Sequence, residues 1–294
     1  MDKKLFIWFI VSVAIISGGY FGSLYFQNQI FIPYEFSAHP LVILLLCVAV
    51  GWLKRDSIQK EMNHQSMLEE PIYISVGLLV IFISLLMPLS TNPVFVLFKF
   101  LLTFVGLFFV FFGAAAYLPS LLLFVYGFSV SFPILLNEFF GTQYSLITTS
   151  LVAHAAGLFY PVDFNGQTIS TISSSGVQSM IYIDAECSGS ASLAIFLTVF
   201  ALMMIDIKPR NDRILPLFFF GIIGTSLQNI LRLVVLLATN YHFGSDSMWL
   251  MHSYAGYILF PVWFAIFIYV YLKVGIEKPQ VTSFSELEES SNDR

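Results

Sequence analysis

An all-α integral membrane protein of about eight transmembrane helices is the fold class these 294 residues predict. Three observations carry the expectation. Apolar residues make up 57% of the chain and charged residues 11%, with a mean hydropathy of +0.83, a balance foreign to soluble domains. The apolar residues gather in long uncharged runs of spanning length. The 13 lysines and arginines sit almost entirely on alternate connecting segments, as the positive-inside rule requires.

Taken in order, the runs are roughly 5–26, 41–53, 72–89, 94–113, 118–137, 188–207, 214–239 and 253–274. The first follows Lys3 and Lys4, as a signal peptide would. It is long enough to span and no small-residue cleavage site follows, so a retained helix is expected. The second is short. Pro119, Pro133, Pro216 and Pro261 fall inside spans, where neighbouring helices re-satisfy the backbone. No internal repeat is seen, so residues 1–275 read as a single polytopic domain. Residues 276–294, with Glu286, Glu288, Glu289 and Asp293, read as a disordered acidic cytoplasmic tail. Two cysteines provide no disulfide framework.

Charge sets the expected orientation. With the N-terminus inside, Lys3, Lys4, Lys54, Arg55, Lys60, Lys208, Arg210, Arg213, Lys273, Lys278 and Arg294 all fall on cytoplasmic segments. The opposite segments, 27–40, 90–93, 138–187 and 240–252, contain no lysine or arginine. Both termini are therefore expected in the cytoplasm of a multi-pass protein of the cell membrane. Lys99 and Arg232 are the two exceptions; Lys99 is expected to snorkel outward.

The segment between the fifth and sixth runs is expected outside. From Gln143 to Tyr160, apolar Tyr144, Ile147, Leu151 and Leu158 alternate at helical spacing with Ser145, Thr148, Thr149 and His154. That pattern predicts an amphipathic helix in the outer interface. Beyond it, Val162–Phe164 and Gln167–Thr171 flank Asn165-Gly166, a type I′ hairpin signal. A second turn at 174–176 leads into 177–184. A small extracytoplasmic meander should deliver the chain to Glu186-Cys187.

Three residues there suggest chemistry. Cys187 lies near a helix N-terminus, where exposed N–H groups and the dipole favour a thiolate. Ser190, Ala191 and Ala194 follow as a small stripe that permits close helix packing. Cys47, in an apolar run, reads as inert. Arg232 lies near the outer end of its helix, with Gln228 and Asn229 on its face at i−4 and i−3. A charge on the side this chain otherwise keeps free of lysine and arginine is a functional candidate. His252 opens the last run, also on the outer side, with His242 and His154 as rivals. A thiol, a fixed cation and an imidazole are the parts of a cysteine acyl-transfer site. Cys187 would be the nucleophile, Arg232 the substrate and oxyanion binder, and His252 the acid and base. Glu186, Ser188, Gly189, Gln228, Asn229 and Gly256 would support them. No Cys/His cluster has ligand spacing, so neither metal nor cofactor is expected.

At Cys187-Ser-Gly189, Asn229-Ile-Leu-Arg232 and His252-Ser-Tyr-Ala-Gly256 with Phe260, the chain resembles the exosortase/archaeosortase family of multi-pass membrane cysteine transpeptidases. The resemblance covers a catalytic core of about 143–272, including the hairpin region ahead of the cysteine. Ser190 departs from it, because a branched apolar residue is more usual after Cys-Ser-Gly. The resemblance implies exported surface proteins as substrates, each with a C-terminal sorting signal of motif, transmembrane helix and basic end. Cleavage would occur outside, and the new C-terminus would pass to a membrane lipid or another acceptor. No nucleic-acid partner is expected. The competing readings are a transporter using Arg232 and Lys99, a serine protease using Ser188 or Ser190, and a non-catalytic partner of a glycan-export system.

Overall fold

The computed structural model describes residues 8, 9, 11–13, 15, 39–64, 70–88, 93–174 and 176–275. The first expected span, apart from helical positions between Trp8 and Ile15, and the acidic tail lie outside the described residues. The seven runs expected between 41 and 274 are each helical: α1 (His39–Leu53), α3 (Glu70–Leu86), α4 (Pro93–Phe112), α5 (Tyr117–Ala156), α6 (Ser190–Asp206), α7 (Asn211–Phe243) and α8 (Ser245–Val270). A 3₁₀ turn, Gly113–Ala116, joins α4 to α5, and a π-helical turn, Tyr271–Gly275, ends α8. Among the described residues, Val94–Ala156, Asn211–Phe243 and Ser245–Gly275 are long and apolar enough to cross a membrane. Val42–Leu53, Pro71–Leu86 and Ser190–Asp206 are shorter apolar helices.

Several boundaries correct the sequence expectation. A further helix, α2 (Arg55–His64), occupies what reads as a polar connection. Its half-buried Ile58 and Met62, four residues apart, give it one apolar edge. The fifth span and the expected interfacial helix are one continuous helix, α5, of 40 residues. Nothing breaks it at 138–142. Ser145 and Thr149 donate to the carbonyls of Gly141 and Ser145 at 2.7 Å each, so their hydroxyls are satisfied within the helix. The last helix begins at Ser245, so His252 stands about two turns inside it rather than at its start. Lys99 is 4% exposed and does not snorkel to open solvent. Its ammonium donates at 2.7 Å to the Met87 carbonyl just past the end of α3, where orphan carbonyls and the helix dipole favour a cation.

Close helix contact follows from small residues. A Cβ on Gly77 would fall 2.6 Å from the Gly106 carbonyl oxygen, and one on Gly106 would fall 2.7 Å from that of Gly77, so α3 and α4 cross at backbone distance. Gly221 packs on the ring of Phe196 and Gly224 on that of Trp263. At one end of the bundle Phe196, Phe200, Leu217, Phe267 and Tyr271 form a buried aromatic core. At the same end Lys54 pairs with Asp206 at 2.9 Å, and the Tyr271 hydroxyl donates to the Ile207 carbonyl at 2.7 Å.

The other end is built differently. Between α5 and α6 the chain forms an antiparallel meander, β1 (Val162–Asn165), β2 (Thr168–Ile172) and β3 (Gln178–Tyr182), in the order β1-β2-β3. Asn165 pairs with Thr168, so the two-residue turn is Gly166-Gln167, one position later than expected; Gly166 takes φ +61°. The meander rests on Val152, Ala153, Leu233, Leu236, Leu237 and Met248 of α5, α7 and α8 through Ile169 and Ile183. Helix lengths explain why there is room for it. At ~1.5 Å per residue α6 is about 26 Å long, α7 about 50 Å and α5 about 60 Å. The long pair overshoots the start of α6, and the overhang encloses a space.

Candidate active site

Cys187 lies in that overhang, in the turn between Ile183 and Ser190, three residues before α6. Local bonds fix the turn. The Asp184 carboxylate accepts the Cys187 N–H at 2.8 Å, and the Ser188 hydroxyl donates to the Ala185 carbonyl at 2.5 Å. Gly189, the residue before the helix, has φ +105°. A Cβ there would lie 2.7 Å from Asn229 Nδ2, so the position needs glycine for both its conformation and its neighbour. That fit sets α7 directly against the turn. Asn229 Nδ2 donates to the Cys187 carbonyl at 3.3 Å, and Arg232 Nη2 approaches the same oxygen at 3.5 Å.

The second of these contacts is long for a hydrogen bond, so the guanidinium is close to the nucleophile candidate without being fully engaged by it. Among the described residues, Arg232 Nε is buried with no hydrogen-bond partner, as are Asn229 Oδ1, both amide atoms of Gln228 and Ser190 Oγ. A buried polar atom left unmatched costs about 1–3 kcal/mol. Two of these residues, Asn229 and Arg232, also approach the Cys187 carbonyl.

Cys187 and His252 line a common cavity of about 340 Å³. Its other walls are β3 with Ile183 and Asp184 on one side, and Leu233, Leu236, Leu237, Asn240, Met248 and Trp249 on the other. The His252 ring meets the Trp249 ring edge-on at 5.6 Å. Arg232 and Asn229 are not on this wall; they stand behind it, against the Cys187 carbonyl. The rival histidines lie elsewhere. His154 Nδ1 is 2.6 Å from the Ser150 carbonyl oxygen and its ring faces Phe164. His242 packs against Tyr241 and Phe243 at the end of α7.

Of the supporting residues, Gly189, Asn229 and Gln228 are buried around the turn, Glu186 is exposed, and Gly256 lies half-buried one turn beyond His252. Cys47 is buried against Leu122 and Leu202, away from the site. The sequence reading passed over Asp184. Its signal was there: an aspartate three residues ahead of the cysteine is placed to accept that cysteine's N–H. Asn240 was also passed over; its Nδ2 bonds Ser179 Oγ at 2.6 Å and ties α7 to β3.

Fold and site together define a polytopic α-helical membrane protein with a cysteine-lined pocket where its bundle opens beneath a small sheet. The model of the transmembrane exosortase family (Exosortase_EpsH) matches residues 34–269, and the chain belongs to that family. Its members are cysteine-dependent membrane transpeptidases that act on C-terminal sorting signals. Comparison with curated proteins and with solved structures returns no match.

Proposed function

We propose that this chain is a cysteine-type sorting protease and transpeptidase working on the extracytoplasmic side. Its substrate is an exported surface protein ending in a short motif, one transmembrane helix and a basic cluster. The Cys187 thiolate attacks the carbonyl carbon at the motif and forms an S–C bond. Arg232 and Asn229, which approach the Cys187 carbonyl from outside the cavity lining, turn to donate to the oxyanion once substrate is bound. The intermediate collapses, the amide C–N bond breaks, and His252 supplies the proton that the leaving amine takes up. The thioester then passes to an acceptor, water or an amine such as a lipid headgroup. That acceptor gives its proton to His252 and releases the thiolate. Asp184, Ser188 and Gly189 hold the turn, and Gln228, Glu186 and Gly256 act as supporting residues.

The single observation that carries this reading is the convergence at Cys187. Cys187 and His252 line one cavity, while two donors from α7 approach the Cys187 backbone carbonyl. A serine nucleophile is less well supported: Ser188 is buried and donates to Ala185, and Ser190 is fully buried. A transport role for Lys99 is weakened by its bond to the Met87 carbonyl. The outward orientation is supported by charge, because Lys54 pairs with Asp206 at the far end of α6 from Cys187.

The test is processing, in the host membrane, of an exported reporter carrying the C-terminal motif, helix and basic end of a surface protein from the same genome. Cys187→Ala should abolish cleavage while the variant still accumulates, since a thiol-to-methyl change at this turn removes covalent catalysis and little packing. Wild-type cleavage by Cys187→Ala would leave the glycan-export partner or a serine enzyme as the better account.

A further inference from the structure

β3 touches the cavity from Ser179 to its C-terminal end. Ser179, Met180, Ile181 and Tyr182 all line it, and Ile183 and Asp184 continue the wall towards Cys187. Side chains alternate between the two faces of a strand, so a cavity over one face would meet every second residue. One that meets consecutive residues runs along the edge. Among the described residues β3 is the end strand of the sheet, hydrogen-bonded to β2 on its other side.

The direction of the backbone groups follows from the ladder. The Ile183 N–H bonds the Gln167 carbonyl at 2.9 Å, and in an antiparallel pair bonded and non-bonded positions alternate. Ile181 and Ser179 therefore pair with β2, and the N–H and C=O groups of Met180 and Tyr182 point away from it, to the cavity side. Met180 is 67% and Tyr182 61% exposed.

The two edges of this sheet are also treated differently by the sequence. Edge strands are ordinarily protected by charge or proline. β1 has both, with Asp163 inside it and Pro161 immediately before it. β3, Gln-Ser-Met-Ile-Tyr, has neither. The unprotected edge is the one that leads into the cysteine turn. Leu233, Leu236, Leu237, Met248 and Trp249 also line the cavity, an apolar surface continuous with the core under the meander and suited to side chains of an extended segment.

We infer that the free edge of β3 is the docking strand for the substrate's motif, which binds as an extended fourth strand with its scissile carbonyl presented to Cys187. This rests on the peptidase reading above and specifies how that substrate is held. Backbone pairing provides affinity for any extended chain, and the apolar wall sorts alternate side chains.

The same exported reporter tests it. Met180→Pro removes a donor on the cavity edge and leaves the β2 ladder intact, as edge proline does. Cleavage should fall roughly tenfold or more, the loss of at least one hydrogen bond. Phe164→Pro, on the opposite edge, should cleave at near wild-type rate. Unchanged membrane accumulation and unchanged alkylation of Cys187 by N-ethylmaleimide show that Met180→Pro is folded. Wild-type cleavage by Met180→Pro overturns the docking strand, whatever Cys187→Ala does; cleavage by Cys187→Ala overturns the peptidase reading instead. A second arm does not depend on the proline. In a Cys187→Ala background, Met180→Cys and Tyr182→Cys are each oxidised against reporters with one cysteine scanned through the motif. Moving the enzyme cysteine from 180 to 182 should move the reactive reporter position by two residues. Cross-linking at no position, or equally at all of them, overturns the proposal.

Discussion

Arg232 is the residue whose replacement says most, because its two roles predict different outcomes. Its Nη2 lies 3.5 Å from the Cys187 carbonyl, and its Nε is buried without a partner among the described residues. If it merely filled a polar gap, lysine would serve, since charge is kept. Lysine loses the planar fork, however. Arg232→Lys is expected to lower reporter cleavage roughly 10²–10³-fold, the effect of losing one oxyanion donor; near-normal cleavage would remove arginine from the chemistry. The histidines form a second series. His252 shares the cavity with Cys187, whereas His154 and His242 pack elsewhere. His252→Ala should cost roughly 10²–10⁴-fold in cleavage rate, with His154→Ala and His242→Ala mild. The reverse order would reassign the acid and base.

At the scale of elements, the site depends on a length mismatch between helices. α6 stops short while α5 and α7 run on, and the turn that starts α6 is pressed against α7 at Gly189. An alanine there meets Asn229 Nδ2 at 2.7 Å and must adopt φ +105°, a region costly for any side chain. Gly189→Ala is expected to destabilise by about 1–3 kcal/mol and to push Asn229 off the Cys187 carbonyl. Thermal unfolding in detergent and reporter cleavage should both fall. A variant with unchanged melting and full activity would mean that the turn and α7 are not closely coupled. By contrast the Lys54–Asp206 pair is partly exposed and contributes at most about 1 kcal/mol; it ties α1 to α6 without deciding the site.

For the whole molecule the decisive quantity is sidedness. The cavity and meander lie at one end of the bundle, and Lys54, Asp206 and Tyr271 at the other. If basic segments are cytoplasmic, a cysteine placed at Gly166 must react with an impermeant maleimide in intact cells. Labelling only after lysis would turn the protein over and put Cys187 on the wrong side for exported substrates.

The amino-acid sequence by itself determined the class of protein and singled out Cys187, Arg232 and His252 as candidates. Solvent partition is a property of composition, so uncharged runs and one-sided lysines declare spans without any packing. The meander was legible for the same reason: alternation and an Asn-Gly pair are local signals. Boundaries were not. α5 runs on through 138–142, where the Ser145 hydroxyl bonds back to the Gly141 carbonyl, and α8 begins at Ser245 because Gly244, at φ +84°, allows the chain to reverse directly after α7. Only the tertiary structure decided which histidine shares a cavity with the cysteine, what bonds the Asp184 carboxylate, that Arg232 approaches the backbone of Cys187, and that β3 lines the cavity. Each of these joins residues separated along the chain or depends on the direction of a backbone group. Such relations are set by how helices of unequal length pack, which local periodicity does not encode.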